Sequence, residues 1–454
     1  MKRLVEIVLP FLLVFAASAC STTSSTPGNF TYPSAMTLGY LPTSNIRTLF
    51  VANMFTATIS EINTSTNSVM PVTTPAGTFN ALPCNLYPNT VQYENGYLYV
   101  AGFTQSTGLL ESFNLLTNQT TSTVNLKGYP FQARLITQTS MLYVLDMNQN
   151  SSYLESFTVS SVITPSTFTS LTFTPAAIAV SPDDKNIFIS YQGQPFVSIV
   201  DPVTLKEVGR LNTDYPVTVM QALNHGADTM IYATVFTGTG YNVESINTAT
   251  GSTGYEFTLP GIPYDMAISP QRILLDDNHF SYLGIVANTN GYIDFVNIDY
   301  GCNIPAIPST HTGVVLTSTV RSSGLPSLQA ITTNDCTTQS ETWSVVYDAA
   351  NKNYTVQGTL SGLQPSSAIN GAFFDAANDR VSFYINPGTS GLNNNDMFTF
   401  NTVAAQQIKT LLGIGLPQQV IIDPVSNQAY VTDVLTNSVY VISPSSQSII
   451  TTIK

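Results

Sequence analysis

The chain carries very little charge for its length. Of its 454 residues, 14 are Lys or Arg and 27 are Asp or Glu, so 9% are charged, against roughly 25% in an average soluble protein. The formal net charge is −13, which argues against nucleic acid as a partner, because phosphate backbones attract basic surfaces. Hydrophobic residues still make up 43% of the chain. That content is enough for a sizeable core and is not a signature of disorder.

A helical pattern is also missing. No stretch of twelve residues repeats its apolar side chains with a period of 3.6. The apolar runs are short, rich in Val, Ile, Thr and Tyr, and separated by turns of Asn, Gly, Thr and Pro, a pattern typical of strands. The sequence therefore predicts an all-β fold with minimal helix.

Cysteine is scarce and its spacing excludes several cofactors. Cys302 and Cys336 flank one irregular region, and we predict that they form a disulfide in an oxidising compartment. Cys84 is then left over and is interpreted as a small buried hydrophobe. Because no Cys-x-x-Cys pair occurs, the sequence supports neither a zinc site nor a c-type haem.

Histidine is equally scarce, with His225, His279 and His311 scattered along the chain. The run from Asp276 to His279 could attract a metal, but adjacent residues on one turn cannot converge on an ion, and the spaced oxygens of a calcium loop are lacking. No nucleophile elbow, zinc-protease motif or phosphate-binding glycine loop is present. We therefore predict no metal, no cofactor and no assigned catalytic residue.

The first twenty residues have the pattern of an export signal. Lys2 and Arg3 precede an apolar run from residue 4 to residue 15, and the small residues 17–19 precede Cys20. This resembles the lipobox of bacterial lipoproteins, in which the peptide is cut before the cysteine and the thiol is diacylated. An ordinary signal peptide cut after Ala19 is the alternative. A retained transmembrane helix is disfavoured, since the run is shorter than the ~20 residues that a span needs.

The lipobox resemblance predicts the cellular address. Residues 1–19 would be the signal peptide, and the acyl chains on Cys20 would anchor the protein firmly, at about 0.8 kcal/mol per buried methylene. Ser21 follows the cysteine in place of Asp, which by the same resemblance favours the outer membrane of a diderm cell. The rest of the segment 20–33 is rich in Ser, Thr and Pro and predicts a flexible tether.

A unit of four predicted strands recurs through residues 34–454. Most units open with a proline, and the first five opening prolines are 41 to 47 residues apart. The opening prolines are Pro88, Pro130, Pro175, Pro216, Pro263, Pro365 and Pro417. All-β repetition of this length predicts a propeller or a related array.

The repeats resemble a known family. The turn Ser181–Lys185, the strand Ile187–Ser190 and the strand Val197–Asp201 are similar to the repeat named for its Tyr-Val-Thr-Asn strand, which Tyr430–Asp433 nearly spells. This resemblance implies a β-propeller of four-stranded blades. Counting the units favours eight blades, with seven as the alternative.

One region departs from the repeat, at about residues 300–362. It contains the lone tryptophan, Trp343, and a predicted hairpin of strands 343–347 and 353–357. We interpret it as an irregular blade or as an insertion on one.

The first strand of each blade lines the central channel of a propeller. Two residues after the opening prolines stand Thr90, Gln132, Ala177, Thr218, Asp265 and Gln419, which are our candidates for lining the channel. Asp265 is the only charged residue among them. It is either a ligand or base at the channel mouth or a solvated carboxylate that caps a turn.

Two functions follow from this fold. The first is a lipid-anchored binding or scaffolding module of the cell envelope, whose partner is an envelope protein or a glycan. The second is an enzyme resembling the propeller lactonases or quinone-dependent dehydrogenases, for which Asp265, Arg134, Asp375 and Arg380 are the nearest charged candidates. The 23 Tyr and 23 Phe could supply a stacking surface for glycans, although packing explains most of them. Because charges are so few, we favour the binding module.

Overall fold

The structure is a computed structural model that describes residues 30–225, 228–274, 280–298, 314–315, 327–333, 341–376, 381–386, 396–402, 407–411 and 414–454. All regular secondary structure in these residues is β, and none is helix. The predicted all-β fold is therefore confirmed. Within this part of the chain, no helix is long and apolar enough to cross a membrane.

Seven antiparallel sheets follow one another along the chain, each built around four strands, which in all but sheet 6 pair with their sequence neighbours. Sheet 1 contains β1 (Pro33–Tyr40), β2 (Arg47–Asn53), β3 (Thr58–Asn63) and β4 (Ser68–Met70). Between sheets 1 and 2 lie the hairpin of β5 (Val72–Thr74) and β6 (Gly77–Phe79), and β7 (Leu82–Pro83), which also pairs with β3. Sheet 2 contains β8 (Tyr87–Glu94), β9 (Tyr97–Phe103), β10 (Gly108–Asn114) and β11 (Gln119–Asn125).

The same arrangement continues in sheets 3 to 5. Sheet 3 contains β12 (Tyr129–Ile136), β13 (Met141–Met147), β14 (Ser152–Thr158) and β15 (Thr164–Leu171). Sheet 4 contains β16 (Pro175–Val180), β17 (Ile187–Tyr191), β18 (Phe196–Val200) and β19 (Glu207–Asn212). Sheet 5 contains β20 (Val217–His225), β21 (Asp228–Phe236), β22 (Tyr241–Asn247) and β23 (Thr253–Leu259).

Sheet 6 takes its fourth strand from far along the chain. It contains β24 (Pro263–Ile268), β27 (Leu283–Asn288), β28 (Tyr292–Asn297) and β37 (Gln407–Leu411), with the hairpin of β25 (Ile273–Leu274) and β26 (Phe280–Ser281) beside it in sequence. Sheet 7 contains β38 (Pro417–Ile422), β39 (Ala429–Asp433), β40 (Ser438–Ser443) and β41 (Ser448–Ile453). Sheets 1 and 7 are each complete, so neither borrows a strand from the other end of the chain.

The opening prolines shape the first strands. In β12, β24 and others the register shifts immediately after the proline, for example between Pro130 and Gln132 and between Pro263 and Asp265. Proline has no N–H to donate to the neighbouring strand, which favours a break in regular pairing at this point.

The sheets pack face to face in sequence order. Seven clusters of buried apolar side chains lie between sheets 1 and 2, 2 and 3, and so on to sheets 6 and 7, and also between sheets 7 and 1. The last of these joins Met36 and Leu49 of sheet 1 to Tyr430 and Val439 of sheet 7. The first strands are likewise neighbours, since β1, β8, β12, β16, β20, β24 and β38 contact one another in that order and β38 contacts β1.

The chain between β28 and β37 forms two further sheets, which we call the inserted segment (residues 299–406). One sheet contains β29 (Val314–Val315), β31 (Glu341–Asp348), β32 (Asn353–Gly358), β33 (Gly362–Leu363) and β36 (Met397–Thr402). The other contains β30 (Ser327–Thr333), β34 (Phe373–Asp375) and β35 (Val381–Asn386). They share a core around Trp343, Phe383 and Phe400, and the Trp343 indole donates to the Thr402 hydroxyl at 3.1 Å.

The inserted segment changes the interpretation of the repeats. The predicted hairpin at Trp343 is confirmed, because β31 pairs with β32. The unit expected after Pro365 is not a four-stranded sheet, since its strand 381–386 pairs with β30 and β34 inside the segment. The irregular region therefore extends beyond residue 362, to β36. In the described residues the repeating sheets number seven, where counting strands favoured eight.

Candidate functional site

Side chains on the first strands tie each sheet to the next. The N–H of Ile178 donates to Oε1 of Gln132 at 2.9 Å, and the N–H of Val420 donates to Oδ2 of Asp265 at 3.0 Å. The N–H of Met36 donates in the same way to Oε1 of Gln419. These three acceptors occupy the same position, two residues after the proline. The parallel first strands are therefore held in register by equivalent bonds.

Other sheet junctions use neighbouring positions. Ser34 Oγ donates to the carbonyl of Pro88 at 2.9 Å, and Asn89 Nδ2 to the carbonyl of Pro130 at 2.8 Å. The N–H of Ile268 donates to Oε1 of Gln221 at 2.7 Å, two positions farther along the strand. Polar side chains on the first strands thus serve first as links between sheets.

A central cavity of about 410 Å³ lies between the first strands. It extends from Asp265 and Gln419, near the proline end of the strands, to Pro270 and Pro424 beyond their other end. All seven first strands contribute to its wall. Arg134 and Asp265 are the only charged side chains among its described lining residues.

Burial perturbs both charged groups of the central cavity. Burial lowers the pKa of the Arg134 guanidinium, and the carboxylate of Asp265 opposes this shift. Burial raises the pKa of Asp265 to about 6, although the Val420 N–H and Arg134 act in the opposite direction. The cavity therefore holds one positive charge, on Arg134, and one carboxyl group, on Asp265, whose pKa is well above its usual range.

Only some of the candidates for lining the channel lie on the wall of the central cavity. Asp265 and Gln419 line the central cavity, whereas Gln132 reaches sheet 4 instead. Thr90 is buried and does not line the cavity. Thr218 is likewise not among the lining residues of this cavity, and its hydroxyl donates to the carbonyl of Thr234 in its own sheet at 3.1 Å.

The different placement of Thr218 has a cause in the strand register. In sheets 3 and 6 the opening proline pairs with the second strand, as Pro263 does with Asn288. In sheet 5 this place is taken by Val217, which pairs with Val235. Pro216 therefore stands one residue too early, and counting two residues from it reaches the bulge.

Of the four charged candidates for an enzyme, the structure brings only Arg134 and Asp265 to one cavity among the described residues. Asp375 is an exposed residue of β34 in the inserted segment, and Arg380 lies outside the described residues. His225 ends β20, and His279 and His311 also lie outside the described part. Within that part, no group of three or more His, Cys, Asp or Glu side chains could hold a metal ion.

The cysteine predictions are only partly covered by the structure. Cys84 is a free thiol that packs against the core between sheets 1 and 2. Burial raises its pKa, and Glu111 adds to the shift. This agrees with its interpretation as a small hydrophobe. Cys302 and Cys336, like Cys20 and the rest of the predicted signal and most of the tether, lie outside the described residues, so their disulfide and lipidation remain predictions.

Sequence reasoning missed a set of buried carboxylates that hold the loops between sheets. Glu111 accepts from both the backbone and side-chain nitrogens of Asn85, at 3.3 and 3.0 Å. Glu155 accepts from the N–H of Lys127 at 2.8 Å, and burial together with Glu155 raises the pKa of the adjacent Asp146 to about 9. The sequence signal that could have revealed these carboxylates is an acidic residue within an otherwise apolar third strand.

The end of the sheets where the first strands begin is rich in aromatic rings, and we call it the aromatic end. Its rings form close pairs, including Tyr32 with Phe55 at 4.6 Å between centroids and Phe236 with Tyr241 at 5.2 Å. Further rings at this end are Tyr87, Phe103, Tyr129, Phe173, Tyr191, Phe196 and Tyr264. The described loops at this end hold only two charged residues, Lys127 and Asp214.

A second cavity, of about 440 Å³, opens at the aromatic end between sheets 2 and 3. Lys127, Tyr129 and the segment 148–150 form one side, and the segment 106–108 forms the other. The ammonium group of Lys127 lies 3.7 Å from the ring centre of Phe168. The lining is therefore mostly amide and hydroxyl groups beside an aromatic ring.

No known protein family and no curated protein matches the sequence. Hydrazine synthase of Kuenenia stuttgartiensis has a similar fold, with a TM-score of 0.53 and 12% identity over 93% of this chain and 99% of that one. A chain of the mitotic checkpoint complex has a TM-score of 0.43 and 11% identity, over 81% of this chain and 95% of its own. KlHsv2 with its loop 6CD replaced by a Gly-Ser linker has a TM-score of 0.41 and 11% identity, over 80% of this chain and 98% of its own. At such identity the likeness to hydrazine synthase shows the fold alone, which is all-β and propeller-like.

Proposed function

We propose that this chain is a lipid-anchored β-propeller of the cell envelope that acts as a binding module. Seven apolar interfaces join the sheets in order and join sheet 7 to sheet 1, which supports a closed ring of seven blades with the inserted segment projecting from the sixth. Such a ring presents two rigid faces of loops, which suit the docking of a partner.

The observation that carries the binding role is an exposed apolar patch at the aromatic end. Four side chains at this end of sheets 5 to 7 and of the loop before sheet 6 remain exposed: Phe236 (39%), Ile262 (37%), Tyr264 (36%) and Leu435 (70%). Interface cores are enriched in aromatic residues and depleted of charge, and contiguous exposed apolar surface marks interaction sites. The aromatic end combines both properties, and we propose that the envelope partner docks there.

The partner is an envelope protein or a glycan. The second cavity supports a glycan, because its amides and hydroxyls can bond sugar hydroxyls while Tyr129 offers a ring for stacking. The patch of Phe236 and Leu435 supports a protein. The docking face is the same in both cases.

Crosslinking in native envelope membranes, followed by purification and mass spectrometry, tests the docking role. We expect one stoichiometric partner that resists moderate salt, and its loss when Phe236, Tyr264 and Leu435 are all changed to serine. Val203→Ser with Val425→Ser is the matched control, since both valines are exposed at the opposite end. Recovery of the protein alone, or equal recovery with both sets of variants, would overturn the proposal.

The anchor has a separate test. Labelling cells with a radioactive fatty acid should mark the wild-type protein and leave Cys20→Ala unmarked. The same variant should move from the membrane fraction to the soluble fraction. A wild-type protein that carries no label and lacks residues 1–19 would instead support an ordinary signal peptide.

A further inference from the structure

The central cavity contains hydrogen-bond donors that the protein does not use. A guanidinium has five N–H donors, and among the described residues that of Arg134 makes one bond, from Nη1 to the carbonyl of Ala133 at 2.9 Å. No carboxylate of the described part lies within 4.0 Å of it as an ion pair. Arg134 is half-buried, and a cation partly withdrawn from water without a bonded anion points to a ligand that supplies one.

Two glutamines add donors of fixed orientation. Gln221 and Gln419 accept backbone N–H groups through Oε1, so their side-chain amide groups must point the other way. In the part of the chain that the structure describes, neither NH₂ group has a partner, and both residues line the central cavity. The wall therefore offers neutral donors beside the positive charge of Arg134.

Asp265 provides the complementary acceptor. It lies on sheet 6 and Arg134 on sheet 3, so the two charges stand on opposite walls of a ring of seven first strands. A molecule between them meets a cation at one end and, at the other, a carboxylate flanked by the amides of Gln221 and Gln419 on sheets 5 and 7. The cavity volume of about 410 Å³ falls within the range of small-molecule sites, roughly 300–1,000 Å³.

We propose that the central cavity binds a small polyhydroxy carboxylate of sugar-acid size. The ligand carboxylate bonds the Arg134 guanidinium, because planar bidentate pairing suits these two groups. Its hydroxyl oxygens accept from the amides of Gln221 and Gln419, and a hydroxyl group donates to Asp265. This site lies at the far side of Asp265 from the aromatic end, so it does not depend on docking of the envelope partner.

Calorimetric titration of the full chain in detergent micelles tests the site. The probe is D-gluconate, and sorbitol is the matched control because it has the same six-carbon chain without the carboxylate. We expect saturable binding of gluconate and at least tenfold weaker binding of sorbitol, as loss of a charged hydrogen bond of about 1.5–3 kcal/mol predicts. Equal binding of the two probes would overturn the proposal, and so would no binding of gluconate up to about 10 mM.

Variants connect the binding to Arg134. Arg134→Gln should weaken gluconate binding at least tenfold and leave sorbitol binding unchanged. Arg134→Lys should weaken gluconate binding less, because lysine keeps the positive charge but not the bidentate geometry of the guanidinium. Thr90→Val is the control, since Thr90 is buried on a first strand and does not line the cavity. If Arg134→Gln fails to fold, the gluconate affinity of Arg134→Lys is the deciding measurement. Unchanged gluconate affinity in a folded Arg134 variant contradicts the assignment.

Discussion

Arg134 and Asp265 share the wall of one cavity without forming an ion pair. Within the described residues, oppositely charged side chains approach within 4.0 Å only at Arg47–Asp423, Lys185–Asp183 and Arg210–Glu207. Charges that do not pair with each other remain available to a third group. The separation therefore leaves both groups available to the proposed ligand.

The raised pKa of Asp265 predicts a pH-dependent effect of its replacement. Its folded pKa of about 6 exceeds the ordinary unfolded value, so its carboxylate reduces stability increasingly as pH rises through 6. Arg134 is the only other charged group on the described cavity wall. We expect Asp265→Asn to raise the melting temperature relative to wild type more at pH 8 than at pH 4. Scanning fluorimetry at both pH values measures this, and an equal difference at both would contradict it.

Asp265→Ala is the matched control for that prediction. Alanine removes the charge as asparagine does, but it also leaves the N–H of Val420 without its acceptor at 3.0 Å. The alanine variant should therefore melt below the asparagine variant at both pH values.

Replacing a second buried carboxyl, that of Glu61 in β3, should likewise stabilise the protein more at high pH than at low pH. Burial raises its pKa to about 7, and its Oε1 has no partner among the described residues. The folded state holds the proton more tightly than the unfolded chain, so stability falls as pH rises from about 4.5 to above 7. Glu61→Gln should gain up to about 3 kcal/mol at pH 8 and little at pH 4. Urea unfolding at the two pH values decides, and a loss of stability at pH 8 would refute the expectation.

The strands were predictable from sequence because their signals are local. Alternating and continuous apolar runs, bounded by turn residues such as Asn67 and Asn437 with positive φ, mark each strand without knowledge of its neighbours. The identity of the pairing strand is not local. Residues 381–386 have the composition of a second strand of a blade, and only their pairing with β30 and β34 places them elsewhere.

The cavity was predictable only in part for a similar reason. Asp265 and Gln419 follow from the position of the proline, but Gln221 and Arg134 lie farther along their strands and required the arrangement of all seven first strands. The buried role of Glu111 also depends on which loop covers it. Contacts between distant residues decide both, and a single sequence does not contain them.

Asp433 illustrates the stabilising role of the buried carboxylates. It is fully buried and accepts from the N–H groups of Gly415 and Leu416 before sheet 7, at 2.6 and 2.9 Å. It also accepts from Leu435 and Thr436 in the following turn, at 2.9 and 3.1 Å. Asp433→Ala should therefore lower the free energy of unfolding by about 3 kcal/mol or more. Chemical denaturation measures it.

The control for Asp433 is an exposed carboxylate with a similar local role. Asp348 accepts from the N–H groups of Ala350 and Asn351 in a surface turn, at 2.9 and 3.3 Å. Water can replace this acceptor in Asp348→Ala, so the loss should be clearly smaller. Equal losses would mean that burial does not set the strength of these carboxylates.

The inserted segment should be removable without loss of the seven sheets. β28 pairs directly with β37 in antiparallel register, from Ile293 opposite Leu411 to Val296 opposite Gln407. Two strands so paired can be joined by a short hairpin turn. The core of the segment around Trp343 contains no residue of the seven sheets, and the core between sheets 6 and 7 contains none of the segment. Replacing residues 299–406 with a four-residue glycine-containing turn should therefore leave both cores of sheet 6 intact.

Three measurements follow for the shortened protein. Circular dichroism should retain a β spectrum, thermal unfolding should remain cooperative, and gluconate binding should stay within about threefold of wild type, because the cavity lining lies outside the segment. Deleting only residues 373–386 is the control, since it removes β34 and β35 and exposes Trp343 and Phe400 to solvent. That variant should aggregate. If the shortened protein instead loses cooperative unfolding while the partial deletion stays soluble, the segment is part of the folding unit and β37 needs it to reach sheet 6.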